Sequence, residues 1–188
     1  MLRPFQLADG PQVERLAGTP EISDTTLHIP YPYPAGAGAL WISTHAAGWE
    51  NGTQATFAIV RSVDDELLGA VGLSIEPEHA RGEIGYWIAA AEWSRGYATE
   101  ASQPVIGLGF DVLGLHRIQA RHFARNPSSG RVMQKLGMRA EGTHRDWARK
   151  RDRFEDIVMY AILESEWRLE AAKMERPMPG GVSAKGGR

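Results

Sequence analysis

Trp93-Ser94-Arg95-Gly96-Tyr97-Ala98-Thr99-Glu100-Ala101 joins a stretch with strand periodicity to one with helix periodicity, and its reading decides the fold. On its N-terminal side, Glu83 to Ala89 alternates, with Ile84, Tyr86 and Ile88 on one face and Glu83, Gly85 and Trp87 on the other. On its C-terminal side, Ala98, Ala101, Val105, Leu108 and Val112 recur at helical spacings across Tyr97 to Leu113, with Pro104 placed to kink the helix. A helix N-terminus leaves about four amide N–H groups without partners and carries roughly half a positive charge, so it attracts phosphate oxygens. Gly96 lets the backbone approach an anion closely, small Ala98 keeps the next turn accessible, and Arg95 can add a charge-assisted contact. A pyrophosphate fits such a junction, and so does an ordinary tight turn.

Upstream, Phe5 to Leu7 reads as a short first strand, and Asp9 as the cap of a helix carrying Val13, Leu16 and Ala17. The alternating prolines of Ile29 to Pro34 forbid helix and display Tyr31 and Tyr33. Ala35 to Trp49 supports one helix, with Leu40, Trp41, Thr44, Ala47 and Gly48 near one face and Asn51-Gly52 as its stop. Thr56 to Arg61 and Leu67 to Ile75 form a hairpin around Asp64-Asp65-Glu66, and Pro77 to Gly82 turns the chain again. Downstream come a strand at Ile118 to Phe123, a helix from Ser128 to Leu136 ended by Gly137, and strands at Arg139 to His144 and Asp156 to Leu163. Arg145 to Arg153 reads as a solvated hairpin. The order is that of an α/β protein, a mixed sheet with helices on both faces. Residues 1–172 make one domain, and 173–188, rich in Gly, Pro, Lys and Ser, are expected to form a flexible tail.

Composition narrows the functions. The 188 residues are 43% hydrophobic, enough for one well-packed domain. A net charge of -2 and a pI near 6.3 give no broad basic surface, so nucleic acid is not the expected partner. No cysteine is present, which removes thiol nucleophiles, disulfides and thiolate metal sites together. No apolar run approaches the roughly 18 residues that span a bilayer, and the N-terminus lacks a basic stretch followed by an apolar one, so the default is a cytoplasmic protein that does not engage membranes.

A second segment, Asn126-Pro127-Ser128-Ser129-Gly130-Arg131-Val132-Met133-Gln134-Lys135-Leu136-Gly137-Met138, is followed by Glu141-Gly142. With the Trp93–Ala101 stretch, it resembles the GNAT superfamily of N-acetyltransferases, in particular the Rim-type group that acetylates N-termini of ribosomal proteins, and the similarity runs from Leu2 to about Trp167. The resemblance implies the GNAT fold, a mixed and mostly antiparallel sheet split between its fourth and fifth strands. It implies acetyl-CoA as co-substrate and no metal. Its pantetheine arm lies in the split beside Ile88, Ala89 and Ala90, and its phosphates sit on Ser94, Arg95, Gly96, Tyr97, Ala98 and Thr99, with Arg131 nearby. Asn126 and Ser129 stand near the pantetheine or the departing thiol. The partner is an amine acceptor, either a peptide N-terminus or a small molecule such as an amino acid, polyamine or antibiotic, with a longer acyl donor such as succinyl-CoA as an alternative to acetyl-CoA, and family members are often homodimers. One departure is Trp93, where the wider superfamily has Gln or Arg and the Rim-type group an aromatic residue.

Acyl transfer to an amine needs a neutral amine, a stabilised oxyanion and a proton for the leaving thiolate. Glu83 can take the amine's proton or be an exposed strand end. Backbone amides near Ile88 to Ala90 are the expected oxyanion donors. Asn126 and Ser129 have capping as an alternative role. Tyr31, Tyr33 and Trp41 either line an acceptor pocket or pack in the core. His28, His45, His116, His122 and His144 match no metal-ligand spacing, and His122 is kept as an alternate base. A non-catalytic acyl-CoA-binding domain is the competing reading.

Overall fold

The computed structural model describes residues 1–174; of the tail expected over 173–188, residues 173 and 174 end the last helix and the rest lies outside the described residues. Antiparallel pairing joins β1 (Leu2–Arg3) to β2 (Gln54–Val60), β2 to β3 (Leu67–Glu76) and β3 to β4 (Arg81–Ile88). β4 runs parallel to β5 (Arg117–Phe123). β6 (Arg139–Lys150) and β7 (Arg153–Leu163) form a hairpin that docks through β7 on β5, completing a seven-stranded sheet of order β1-β2-β3-β4-β5-β7-β6.

The alternation of β4 sorts its side chains between two helical layers. On one face α1 (Gly10–Ala17), α2 (Pro20–Thr25), α3 (Ala37–Ser43) and α4 (His45–Glu50) cover the sheet, and Val13, Ala17, Ile22 and Ile42 pack with Ala58, Val60, Leu67 and Trp87. On the other, α5 (Tyr97–Gly107) and α6 (Pro127–Lys135) bring Ala101, Val105, Ile106 and Met133 against Val71, Leu73, Ile84, Ile88 and Ile118. α7 (Glu164–Met174) closes the described chain, its Trp167 ring 6.0 Å from Phe110. Among the described residues no helix is long and apolar enough to cross a membrane.

Local chemistry corrects several expectations. The first strand ends at Arg3 because Pro4 has no N–H for the ladder. Asp9 occupies the helix N-cap, yet its carboxylate accepts the Gln6 N–H at 2.8 Å and pairs with Arg3 at 2.8 Å, closing a 3₁₀ turn over Leu7–Asp9 instead. The helix expected over Ala35 to Trp49 is two helices, since the hydroxyls of Ser43 and Thr44 each donate at 2.7 Å to the carbonyls of Leu40 and Trp41. The helix after Gly96 passes into a π segment at Leu108–Val112, where Leu113 N–H donates to Leu108. The wider turn rotates Val112 outward to 70% exposure and seats Phe110 in the core. The Arg145–Arg153 run is mostly strand, with a bulge between His144 and Ala148, and its Lys150 is buried. Both α2 and α7 escaped the sequence reading.

β4 and β5 share three register pairs, Arg81 with Arg117, Gly82 with Ile118 and Glu83 with Gln119, and then part. β4 stays paired to β3 as far as Ile88, and β5 to β7 as far as Phe123, so the sheet opens between its fourth and fifth strands.

Gly69 tests how the closed side of the split is held. A Cβ on it would lie 2.1 Å from the carbonyl oxygen of Trp87. Gly69→Val is expected to cost at least about 2 kcal/mol in denaturant unfolding, because β3 and β4 cannot both keep their ladder around it.

Candidate active site

At the end of β4 the chain makes the turn that sets up α5. Ser94 and Gly96 both adopt left-handed conformations, φ +64° and +89°, on either side of Arg95. Such alternation turns successive amides to one side and makes an anion-binding concavity. Gly96 is the α5 N-cap and offers no side-chain acceptor to the first turn, and a Cβ there would meet nothing within 4 Å. The open amides face a cleft of about 410 Å³. Of the residues expected at the coenzyme, Ile88, Ser94, Gly96, Tyr97, Ala98, Thr99, Asn126, Ser129 and Arg131 line it, joined by Lys135, which the sequence reading missed. Ala89, Ala90 and Arg95 do not line it. Arg95 is exposed and paired with Glu92 at 3.1 Å. Trp93 ties the loop to the strand, its indole N–H donating to the Ile88 carbonyl at 2.7 Å.

The ladder decides which amides open into the split. Ala89 N–H donates to Leu68 at 2.8 Å, so by antiparallel alternation the amides of Trp87 and Gly85 also face β3. Those of Tyr86 and Ile88 point the other way, where β5 has withdrawn. The Ile88 amide therefore opens into the split, while the Ala89 amide is already committed to Leu68.

Tyr86 bridges the opening. Its hydroxyl donates to the Ser129 carbonyl at 3.1 Å and lies 2.9 Å from Ser129 Oγ on α6. Burial, partly opposed by the Ser129 hydrogen bond, pushes the phenol up to about 12, so it holds its proton at neutral pH. Asn126 makes no side-chain capping bond to α6; its carbonyl takes the Ser129 N–H at 3.2 Å. The sequence signal for Tyr86 was its hydroxyl on an otherwise apolar strand face, which needs a partner.

A second cavity, about 170 Å³, opens beside the first, and both are lined by Thr25, Thr26, Tyr86 and Ser129. Glu83 lines this one. One of its carboxylate oxygens lies 2.9 Å from Arg121 Nε, and the other accepts the Gln119 amide at 3.1 Å. Trp147, on the β6 bulge, places its ring 4.6 Å from the Arg121 guanidinium. The facing wall is Thr25-Thr26-Leu27-His28, fixed from behind by Lys150, whose ammonium donates to the carbonyls of Leu27 and Ile29 at 3.1 and 2.9 Å. Desolvation holds the Lys150 ammonium below the usual lysine range.

Tyr31, Tyr33 and Trp41, the expected acceptor residues, line neither cavity. Tyr31 is exposed, Tyr33 packs against the α1–α4 core, and Trp41 meets Phe5 and His45 edge-on at 5.1 and 4.5 Å. The aromatic character of Tyr33 and Trp41 serves packing, and the wall of the second cavity comes from residues just upstream of the prolines. His122 is buried, its Nδ1–H donating to the Phe123 carbonyl at 2.8 Å and its Nε2 turned towards Gly130 on α6.

The family description of an acetyltransferase (GNAT) domain matches residues 1–139. The p20 N-acetyltransferase of Bacillus licheniformis, itself uncharacterized, is 35% identical over 112 residues, 59% of this chain and 63% of that protein. The ribosomal-protein-serine acetyltransferase of Escherichia coli is 30% identical over 55% of this chain and 59% of its own length. Each alignment thus spans less than two thirds of the relative. In fold, the chain superposes on the spermidine N-acetyltransferase of Vibrio cholerae, solved with CoA and spermine, with a TM-score of 0.77 at 20% identity, covering 89% of this chain and 97% of that one.

Two outcomes follow from the geometry. Gly96→Glu, which sets bulk and negative charge in the left-handed loop, is expected to raise the coenzyme Kd by at least about 100-fold in calorimetry. Because the raised Tyr86 pKa means that the folded state holds this proton more tightly than the unfolded chain, its contribution to stability is full below pH 10 and is lost as pH rises towards about 12. Tyr86→Phe is expected to flatten that alkaline decline in unfolding measurements.

Proposed function

Because the chain belongs to the GNAT acetyltransferase family, we propose that it transfers an acetyl group from acetyl-CoA to a primary amine. The observation that carries this reading is the meeting of two cavities through the split, one backed by a phosphate-type loop and the other by a carboxylate, with Tyr86 and Ser129 common to both. The residues suit the coenzyme: open space where a Cβ on Gly96 would stand, an uncapped helix N-terminus, and the cations Arg131 and Lys135 along the cleft. Acetyl-CoA, when bound, supplies an activated thioester.

In this reading Ser94 and the first turn of α5 hold phosphate, and Asn126 and Ser129 orient the pantetheine end. Glu83 accepts a proton from the acceptor's ammonium, directly or through water, while Gln119 and Arg121 fix its carboxylate. The Ile88 amide donates to oxygen charge that develops in the split. Tyr86, hydrogen-bonded to Ser129 Oγ, holds the proton that the leaving sulfur needs. The name of the E. coli relative supports a second reading in which the acceptor is a protein, with an N-terminal amine as the group acetylated.

Thiol release from acetyl-CoA across peptides, amino acids, polyamines and aminoglycosides tests the reading. Turnover with one acceptor class is expected, and tight coenzyme binding without turnover on any amine would favour a binding domain. Glu83→Gln is expected to lower kcat by about 100-fold or more with coenzyme affinity nearly unchanged; an unaltered kcat would move the base elsewhere.

A further inference from the structure

The acceptor-side cavity holds opposite charges side by side. Of the side chains lining it, Glu83 is the carboxylate and Arg121 the guanidinium, and they form a 2.9 Å ion pair in which both are 27% exposed. The neighbouring acids beyond the wall are already engaged: Asp24 and Glu155 both pair with Arg125 and Arg153. A polycation entering here would find one carboxylate, already neutralised, and would face Arg121.

A partly exposed ion pair is worth about 0–1 kcal/mol, so a ligand that satisfies both halves can open it at little cost. An ammonium and a carboxylate carried on the same small molecule do so, the first replacing Arg121 at Glu83 and the second taking the guanidinium in its bidentate fork. Trp147 already stacks on Arg121 and would keep the guanidinium presented after Glu83 is released. Gly85 supplies space on the same strand face, between Glu83 and Trp87: it is exposed, and a Cβ on it would meet nothing within 4 Å. The cavity, about 170 Å³, is smaller than the roughly 300–1,000 Å³ of sites for drug-sized ligands.

We propose that the acceptor is a small zwitterion, a free α-amino acid, with its amine at Glu83 and its carboxylate at Arg121. This rests on the acyltransferase reading and names the substrate class of the same site. Glu83 takes one proton from the ammonium, the freed amine nitrogen forms the new bond to the acetyl carbon and the carbon–sulfur bond breaks; the thiolate is protonated from the Tyr86–Ser129 side, the nitrogen's second proton makes good that loss, and one proton is released overall.

The experiment compares amino acids with their decarboxylated amines as acceptors in the thiol-release assay, with spermidine and neutral short peptides alongside. Amino acids are expected to exceed their decarboxylated partners in kcat/KM by about 100-fold, and Arg121→Ala to reduce that ratio to below about 10. Calorimetric coenzyme binding by the variant reports that it is folded, and the wild-type ratio stands whatever the variant does. Equal or better use of decarboxylated amines, spermidine or peptides would overturn the proposal and leave the acyltransferase reading intact. So would an equal loss for both members of a pair in Arg121→Ala, which would make Arg121 only the positioner of Glu83. No thiol release with any amine would overturn both readings.

Discussion

The parting of β4 from β5 after Glu83 is the constraint on which the site depends. A parallel ladder that stops after three register pairs leaves the backbone groups of Tyr86 and Ile88 without strand partners. Each such group costs about 1–3 kcal/mol if it is buried and unmet. The fold meets part of this cost with its own side chains. Trp93 donates its indole N–H to the Ile88 carbonyl, so the first residue of the phosphate-type loop also closes the last carbonyl of the strand. Tyr86 spans the gap to α6 through Ser129. On the far side, β5 keeps its whole length paired to β7, and His122 packs against Gly130, which holds α6 close to the strand. Among the groups that stay open is the Ile88 amide, a donor fixed in direction by the β3–β4 ladder.

The acceptor wall is held by a different kind of chemistry. Thr25 to His28 run from the last residue of α2 into the loop that follows it. Lys150 reaches them from β6, and Arg125 reaches Asp24 from the loop after β5. Glu155 is buried between Arg125 and Arg153; burial opposes its ionisation, but the two guanidinium hydrogen bonds outweigh it and hold the carboxyl below its usual range. Buried charges with several partners are a weak source of stability but a strong source of geometry, since each alternative placement leaves a charge unpaired. The hairpin carrying Lys150 also carries Trp147, so one element supports both the wall and the Arg121 guanidinium.

Local patterns made the sheet order legible. The two-residue alternation of Glu83 to Ile88 placed Trp87 and Ile84 in separate cores, as observed, and Gly96 announced the left-handed turn into a helix. The residues that sequence could not reveal are joined by register across long separations. Arg121 meets Glu83 because Gln119 happens to stand opposite it in the parallel ladder, and nothing within either strand encodes that offset. Lys150 looked like one more charge in a solvated hairpin, because burial of its ammonium depends on a loop more than a hundred residues away. Tyr33 and Trp41 show the opposite case: aromatic side chains near a loop suit a pocket and a core equally, and here the α1–α4 layer had a core to fill.

Strand parity adds a last consequence. Glu83 and Tyr86 are three residues apart on β4, an odd separation that sends their side chains to opposite faces of the sheet. In a closed sheet a carboxylate and a phenol so placed could never serve one reacting centre. The split removes the strand that would separate them, and so the cavity under Glu83 and the cleft beside the α5 N-terminus share Tyr86 and Ser129 as a common border. In the proposed mechanism, opening the sheet lets Glu83 from the α1–α4 side and Tyr86 from the α5–α6 side act on the same atoms, while each keeps the packing of its own layer. A base and an acid on one face would have to lie within reach of each other and could neutralise their own chemistry; placed on opposite faces, they meet only through what lies between them.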